Sequence, residues 1–409
     1  MKRPTDVQVA EVWREATQVG AITRTPNGSV FEYNDVFFEQ HKTQVGGVAT
    51  HLPYSQRQAE TLGYNLHPYF AGLLPEGLRL QALVQRVKTS EDDMLSLLIA
   101  SGIDTVGNLS VRPSGETFES DSLPEAPLKA EEVLFTELFE QSLSQTGEMH
   151  EPVIAGVQEK VSASTISFPL KPAGRFAYIL KLNPPKKPRL IENEDFFMRM
   201  AKSCGLVTAT THLIRDRAGN PGLSVERFDR RWSKDEKRLL RIAQEDACQF
   251  LNRYPADKYR IHCSEIAKGL QDTCLAPIPE MARFLRLVAF SYLIANGDLH
   301  AKNVSVLADG PAGGFRLSPA YDVLTTLPYG DRRMALKFEG RDDNLKRSHF
   351  IEFGKRFGVK EVAVTKMLDE LVESAKPWLG RLDEIGFGSQ KTEHLSRTLE
   401  KRRNELAAG

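Results

Sequence analysis

The sequence predicts an α+β protein in two parts: a small N-terminal α+β unit, then a larger region that becomes mainly helical toward the C-terminus. Three observations carry this. Residues 7–33 read as short strands around a turn signal, residues 112–131 are rich in Pro, Ser and Glu and poor in large apolar side chains, and the last third carries apolar stripes at helical spacing. At 409 residues the chain is too long for one ordinary core. Its 41% hydrophobic and 26% charged content is that of a folded globular protein, not of a disordered or fibrous one.

The elements follow in order. "TPNG" (25–28) is a turn, with Asn27 and Gly28 suited to the positive φ of a tight hairpin. "SEDDMLSLLIA" (90–100) starts a helix with Ser90 as its cap and acidic residues in the first turn, where the helix dipole favours them. "TVGNLSV" (105–111) is a strand that closes a unit spanning 1–111, and 112–131 is the linker. "FAYILKL" (176–182) is a strand interrupted by one lysine, and "NEDFFMRMAKSCGL" (193–206) is a helix with a glycine stop. "MARFLRLVAFSYLIAN" (281–296) places Leu285, Val288, Ala289 and Tyr292 on one helical face, with Phe284, Leu287 and Ile294 filling further sides. Such a helix is largely buried. A strand–turn–strand pattern covers 303–323, and Val364, Met367, Leu368, Leu371, Val372 and Ala375 form the stripe of a late helix.

The 54 basic and 54 acidic residues cancel, so the overall field calls for neither nucleic acid nor an anionic membrane. Local basic runs at 226–241 and 397–405 read as solvated faces. Cys204, Cys248, Cys263 and Cys274 form no C-x-x-C pair and no zinc-type spacing, which points to reduced thiols in a cytosol. The basic N-terminus lacks the apolar stretch of a signal peptide, and no run reaches the roughly 18 apolar residues of a membrane span. The chain is expected in the cytoplasm, off the membrane.

Chemistry concentrates in "NGDLHAKN" (296–303), where the buried helix should end. Phosphoryl transfer needs a carboxylate to orient the attacking hydroxyl or accept its proton, and oxygen ligands to hold Mg²⁺ against the triphosphate. An Asp-x-x-x-x-Asn loop supplies both: Asp298 as the base, and Asn303 as a metal ligand through its amide oxygen. Asp322 in "LSPAYDVLTT" (317–326) stands where the kinase fold places its other metal ligand. Lys181 lies inside an apolar strand, where a charge is costly unless paired. Phosphate oxygens of ATP would pair it, with Glu194 on the next helix as its ion-pair partner. "AGVQEK" (155–160) is the early candidate for a phosphate loop, and "VERFDRR" (225–231) lies where an adenine-facing hinge belongs. Singly, each has an ordinary explanation: Asp298 a cap, Asn303 and Asp322 turn residues, Lys181 snorkelling from an edge strand, His300 and Lys302 loop-fixing groups. Their order along the chain carries the inference.

"AGVQEK", "ILKL", "VERFDRRW", "IAQEDACQ", "DLHAKNVSV" and "SPAYDV" resemble, in order, the blocks of the HipA family of serine/threonine kinase toxins. "VGAITRTPNGSVFEY", "YFAGLLPEG" and "SGIDTVGNLSV" resemble its N-terminal subdomain, so the resemblance covers most of the chain. It implies a bilobal protein-kinase-like (HipA-like) fold, with an N-lobe-like region over 132–230 and a helical C-lobe over 231–409. It implies Asp298 as catalytic base, Asn303 and Asp322 as Mg²⁺ ligands, and Lys181 as the phosphate-binding lysine. Ala155, Gly156, Val157, Gln158, Glu159 and Lys160 become the phosphate loop. Glu226, Arg227 and Phe228 become the hinge, while His300, Ala301, Lys302, Asn303 and Tyr321 line the nucleotide site. The implied cofactors are ATP and Mg²⁺. The implied acceptor is a serine of a cytosolic protein such as an aminoacyl-tRNA synthetase, whose modification arrests growth. The implied partner is a HipB-like helix-turn-helix antitoxin, through which the pair binds and represses its own operator DNA.

One departure matters. The family commonly carries an autophosphorylated serine just before the phosphate loop, and here "EPVIAGVQEK" has Val153 at that place, which has no hydroxyl to modify. Control then rests with the antitoxin or moves to a nearby hydroxyl such as Ser162 or Ser164. Two rival readings remain: a small-molecule kinase of the aminoglycoside or choline type, whose loop "NGDLHAKN" also resembles, and an inactive nucleotide-binding co-repressor.

Overall fold

The computed structural model describes residues 3–63, 65–101, 104–115, 129–138, 166–170, 175–184, 186–308 and 314–408. Its first sheet is antiparallel, with strand order β6-β3-β2-β1-β7. The strands are β1 (Val9–Arg14), β2 (Thr17–Thr25), β3 (Gly28–Tyr33), β6 (Gln58–Leu62) and β7 (Leu109–Pro113), with a short β4 (Gly47–Ala49) and β5 (Leu52–Pro53) pairing separately. Period-two alternation buries Ala10, Val12, Ile22, Phe31 and Val111 on one face. Against it pack α2 (Pro68–Gly72), through Tyr69 and Phe70, and α4 (Met94–Ala100), through Leu95, Leu98 and Ile99. Helices α1 (Asp35–His41) and α3 (Gly77–Val87) complete this part.

Three local details differ from the sequence expectation. The strand expected over 105–111 is β7 at Leu109–Pro113, so Arg112 and Pro113, read as the start of the linker, pair with Glu11 and Ala10. Thr25 pairs with Gly28, so the two turn residues are Pro26 and Asn27 and neither takes a positive φ. Proline already fixes the φ that the first central turn position needs, which leaves Gly28 to begin β3. The cap of α4 is Asp93, whose carboxylate accepts from the Ser96 N–H. Ser90 sits a turn too early and closes a local turn by accepting from the Asp92 N–H.

The second part begins with a four-stranded antiparallel sheet of order β10-β11-β9-β8, built from β8 (Ile166–Pro169), β9 (Tyr178–Leu182), β10 (Thr211–Arg215) and β11 (Pro221–Glu226). Alternation along β9 sends Leu180 and Leu182 to a small core with Phe135 and sends Lys181 to the opposite face. On that face lies α5 (Leu190–Ser203), stopped by Gly205 at φ 77°. A hairpin of β12 (Arg230–Ser233) and β13 (Arg238–Arg241) leads to a three-stranded sheet of β14 (Gln244–Asp246), β15 (Ser305–Ala308) and β16 (Phe315–Leu317). The helical lobe comprises α6 (Ala247–Phe250), α7 (Cys263–Thr273), α8 (Pro277–Leu293), α9 (Arg347–Arg356), α10 (Glu361–Leu379) and α11 (Ser389–Ala407). Helix α8 runs through its centre, largely buried by α7, α9, α10 and α11, with Arg283 and Arg286 at its partly exposed side, as its mostly apolar sequence requires. The four cysteines are free and buried. Among the described residues no helix is long and apolar enough to cross a membrane.

The basic run at 226–241 is only in part a solvated face: Arg231 and residues 234–238 are exposed, while Arg227, Arg230 and Arg241 turn to the first part. Arg227 donates to Asp229 (3.0 and 2.8 Å) and to Asp104 (2.7 Å), and Arg230 donates to the same two carboxylates (both 2.7 Å). Arg241 donates to the Thr105 hydroxyl (2.8 Å) and to the carbonyls of Gly107 (3.2 Å) and Leu109 (3.0 Å). Burial alone would raise the Asp229 carboxyl, but Arg227 and Arg230 hold it far below the usual carboxylate range. Burial and the nearby Arg230 bring the Arg241 guanidinium down to about 10. Three arginines of one part are therefore hydrogen-bonded by acceptors of the other, with the carboxylates of Asp104 and, from their own side, Asp229 balancing the charge of Arg227 and Arg230.

A second contact between the parts is titratable. Glu245, 2% exposed on β14, accepts from the Thr50 N–H (2.8 Å) and hydroxyl (2.9 Å), while its other oxygen is buried with no hydrogen bond among the described residues. Burial pushes its carboxyl from 4.5 up to about 7, with Asp246 adding to the rise. The folded chain thus holds a proton that the unfolded chain releases, and stability falls as the pH climbs through that interval. Glu245→Gln keeps an acceptor for Thr50 and removes the titration. Its melting temperature should exceed wild type at pH 8, by the equivalent of about 1–3 kcal/mol, and far less at pH 5. An equal difference at both pH values would show that the gain is not electrostatic.

Candidate active site

Helix α8 ends at Leu293, and the chain reverses through Ala295 at φ 56° into the loop 296–303. The loop is pinned from within. Asn296 Oδ1 accepts from the Asp298 N–H (2.9 Å), and the Gly297 N–H donates to Thr326 Oγ1 (2.7 Å). A Cβ at position 297 would lie 2.6 Å from the Arg333 carbonyl, so only glycine lets the loop pass there. The Asp298 carbonyl accepts from the His300 N–H (2.8 Å) and from Asn303 Nδ2 (2.9 Å). That second bond fixes the amide and leaves Asn303 Oδ1 as the donor atom for a cation. The Asp298 carboxylate, 4% exposed, accepts from the Tyr259 hydroxyl at 3.1 Å.

His300 packs edge-on against Tyr259, with ring centroids 5.0 Å apart. Both of its ring nitrogens are buried without a hydrogen bond among the described residues. Burial, then the Lys258 charge, push its pKa down to about 3, so the imidazole is neutral at any physiological pH. Tyr321 donates to the Lys302 carbonyl (2.6 Å), lies 2.6 Å from Ser305 Oγ, and packs its ring against Phe228 at 5.5 Å.

Across the loop, Lys181 donates to Glu194 Oε1 (2.7 Å) and to the Asp322 carboxylate. Asp322 is held at φ 55°, a strained backbone for a residue other than glycine. Burial opposes the Lys181 charge, yet Asp322 and Glu194 together hold its pKa above the ordinary lysine value. Glu194 is the second carboxylate on a single ammonium, and its burial pushes it up to about 7.

Lys302 turns away from this pair. It donates to the Gly72 carbonyl (3.1 Å) and pairs with Asp246 (3.3 Å) and Glu76 (3.9 Å), while Glu76 also accepts from Lys258 (2.9 Å). The N–H groups of Glu226 and Arg227 donate to the carbonyls of Thr210 (2.9 Å) and Ala177 (2.8 Å), and the Arg227 side chain is spent on Asp229 and Asp104. Ala301 is buried behind the loop. Ala155 to Lys160, with Val153, Ser162 and Ser164, lie outside the described residues. The fold therefore gathers Lys181, Glu194, Asp298, Asn303, Tyr321 and Asp322, and gives Arg227 and Lys302 structural partners. Sequence reasoning did not find Tyr259, which lies 39 residues before the aspartate it touches. Nor did it assign Asp246 or Glu76, although both stand in quoted motifs.

A cavity of about 270 Å³ opens between the parts, lined by Gly72, Glu76, Arg79, Asn303, Tyr321 and Asp322 among others. Asn303 Oδ1 and the Asp322 carboxylate are hard oxygen donors suited to Mg²⁺. Among the described residues no group of three or more His, Cys, Asp or Glu could hold a metal alone. The residues present thus fit an ion completed by phosphate oxygens, the usual situation for Mg²⁺ in phosphotransfer sites.

Known proteins are similar to this chain in sequence and in fold. "Putative kinase Y4mE" of Sinorhizobium fredii is 29% identical over 399 residues, covering 92% of each chain. The serine/threonine-protein kinase toxin HipA of Shewanella oneidensis is 28% identical over 285 residues, 64% of each chain. In a solved complex of Shewanella oneidensis HipA, HipB and operator DNA, the matching chain is 20% identical, with a TM-score of 0.74 over 97% of this chain and 96% of that one. The HipA N-terminal domain matches residues 10–112 and the HipA-like C-terminal domain matches residues 153–379, more than half of the sequence. With both domains matched in order, the chain belongs to the HipA family.

Proposed function

We infer that this protein is a Mg-ATP-dependent serine/threonine protein kinase acting as the toxin of a toxin–antitoxin pair. The observation that carries the reading is the pinned loop from Asp298 to Asn303, whose Asn303 lines one cavity with Asp322 of the Lys181–Glu194–Asp322 cluster. Asp298 orients the acceptor hydroxyl and takes its proton at the carboxylate, with the Tyr259 hydroxyl fixing the rotamer. Lys181 binds phosphate oxygens. Asn303 and Asp322 would hold Mg²⁺, which when bound neutralises charge on the transferring phosphoryl group. The acceptor is a serine of a cytosolic translation component such as an aminoacyl-tRNA synthetase. Four buried free cysteines suit the reducing cytoplasm. A HipB-like antitoxin is the partner, by likeness to the Shewanella oneidensis complex, and a neutral chain leaves operator contacts mainly to it. Val153 closes the usual route of self-inactivation, so phosphate within 150–166 after incubation with ATP would have to lie on a hydroxyl such as Ser162 or Ser164.

The test is transfer of labelled γ-phosphate from ATP into a bacterial lysate, wild type against Asp322→Asn. A protein band labelled only by wild type supports the reading, and its mass spectrum names the substrate. Label confined to small metabolites would replace it with a small-molecule kinase, and no label with either chain would favour the co-repressor.

A further inference from the structure

The cleft wall contributed by the N-terminal part contains a cation with no assigned task. Arg79, half-buried in the first turn of α3, lines the same cavity as Asn303 and Asp322. Lys302, the other cation lining this cavity, is already paired with Asp246, Glu76 and the Gly72 carbonyl. Lys181, the phosphate-binding lysine of the reading above, shares its charge with Glu194 and Asp322, so it brings no net positive charge to the cleft unaided. Arg79 has no hydrogen bond or ion pair among the described residues; the charges acting on it are Asp104, which attracts, and Arg227, which repels. Asp104 is itself taken up by Arg227 and Arg230. Burial dominates, and lowers the Arg79 pKa below the ordinary arginine value.

A half-buried guanidinium without a carboxylate is an unfavourable arrangement unless an anion completes it. Its position is fixed rather than free. Glu76, three residues earlier in the same turn, is held by Lys302, which belongs to the loop carrying Asp298 and Asn303, and by Lys258, whose carbonyl accepts from the Ala301 N–H of that loop. The Lys302 bond to Gly72 anchors the preceding segment as well. The turn is thus tied to the catalytic loop, with its one uncommitted charge aimed at the space beside the Mg²⁺ ligands.

We propose that Arg79 is a nucleotide-binding residue supplied by the N-terminal part, donating to polyphosphate oxygens of ATP in the cleft. This rests on the kinase reading above. A nucleotide phosphate is favoured over an acidic acceptor because Arg79 shares its cavity with Asn303, Tyr321 and Asp322, the residues on which nucleotide and metal must lie.

Calorimetric titration of the full chain with Mg-ATP and with adenosine tests it. Failure of the wild type to bind Mg-ATP would sink the kinase reading itself, before any variant is made. With binding established, Arg79→Gln should weaken Mg-ATP about tenfold or more, the loss of a charge-assisted contact, and adenosine less than about twofold. Unchanged Mg-ATP affinity, or an equal loss for ATP and adenosine, overturns the proposal. A raised KM for the protein acceptor with ATP binding intact overturns it too and assigns Arg79 to the substrate. If Arg79→Gln shows no cooperative thermal transition, Arg79→Lys replaces it. Lysine keeps the charge and loses the fork, so a several-fold loss for ATP alone supports the proposal and no selective loss overturns it.

Discussion

Asp298→Asn should lower phosphoryl transfer by about 10²–10⁴-fold while leaving nucleotide affinity close to wild type, because general-base catalysis contributes on that scale. The substitution is nearly isosteric, and an amide oxygen still accepts from the Tyr259 hydroxyl, now 3.1 Å from Asp298. The loop itself does not depend on the carboxylate. Its internal bonds use the backbone N–H and carbonyl of Asp298, with Asn296, His300 and Asn303 as partners. What asparagine cannot do is take a proton from the incoming hydroxyl. Single-turnover rates compared with directly measured ATP affinity separate these effects. A variant that loses rate and affinity together would show that Asp298 organises the nucleotide site and is not the base.

Lys181→Met should destabilise the fold and abolish nucleotide binding in one step. Methionine matches the length and apolar stem of lysine, so the change removes charge and little packing. It leaves Glu194 and Asp322 facing each other with no cation between them. Breaking a buried pair by deleting one partner costs about 3–5 kcal/mol. The loss should depend on pH in a definite sense. Glu194 already sits near 7 in the wild type, and without Lys181 its carboxyl rises further, so the folded variant binds a proton that the unfolded chain lacks. Stability lost in the variant is therefore regained as the pH falls and is most severe on the alkaline side. Denaturant unfolding at pH 5.5 and pH 8 checks it, and a deficit of equal size at both would mean that packing, not charge, is responsible.

The division of labour among these residues was only partly readable in the sequence. The buried helix α8 was, because apolar side chains on most faces leave few other fates for the segment. The loop at its end was also readable as a candidate phosphotransfer site, from an aspartate and an asparagine five positions apart. The Lys181–Glu194 pair followed from the cost of a charge inside an apolar strand. The outcome for the arginines around position 230 could not be anticipated, since a basic run looks the same whether it faces water or carboxylates 123 residues away. Tyr259, Glu76 and Arg79 were hidden for the same reason: their meaning comes from apposition across the cleft, and periodicity reports only local neighbours. The misplaced cap at Ser90 is a milder case, where two good capping residues, Ser90 and Asp93, stood one turn apart and the start of the apolar register decided between them.

The arginine cluster bears on how such a chain can be assembled by recombination. Its two family domains match separate stretches, as interchangeable modules would. Yet the carboxylate of Asp104 and the carbonyls of Thr105, Gly107 and Leu109 come from one stretch, while the guanidinium groups they satisfy, of Arg227, Arg230 and Arg241, come from the other. A chimera that takes its N-terminal stretch from a relative without an acid at 104 would leave Arg227 and Arg230 sharing Asp229 alone. Compatibility between halves of different relatives therefore turns on the acid at 104, because the remaining acceptors are backbone carbonyls that any residue at 105, 107 or 109 supplies.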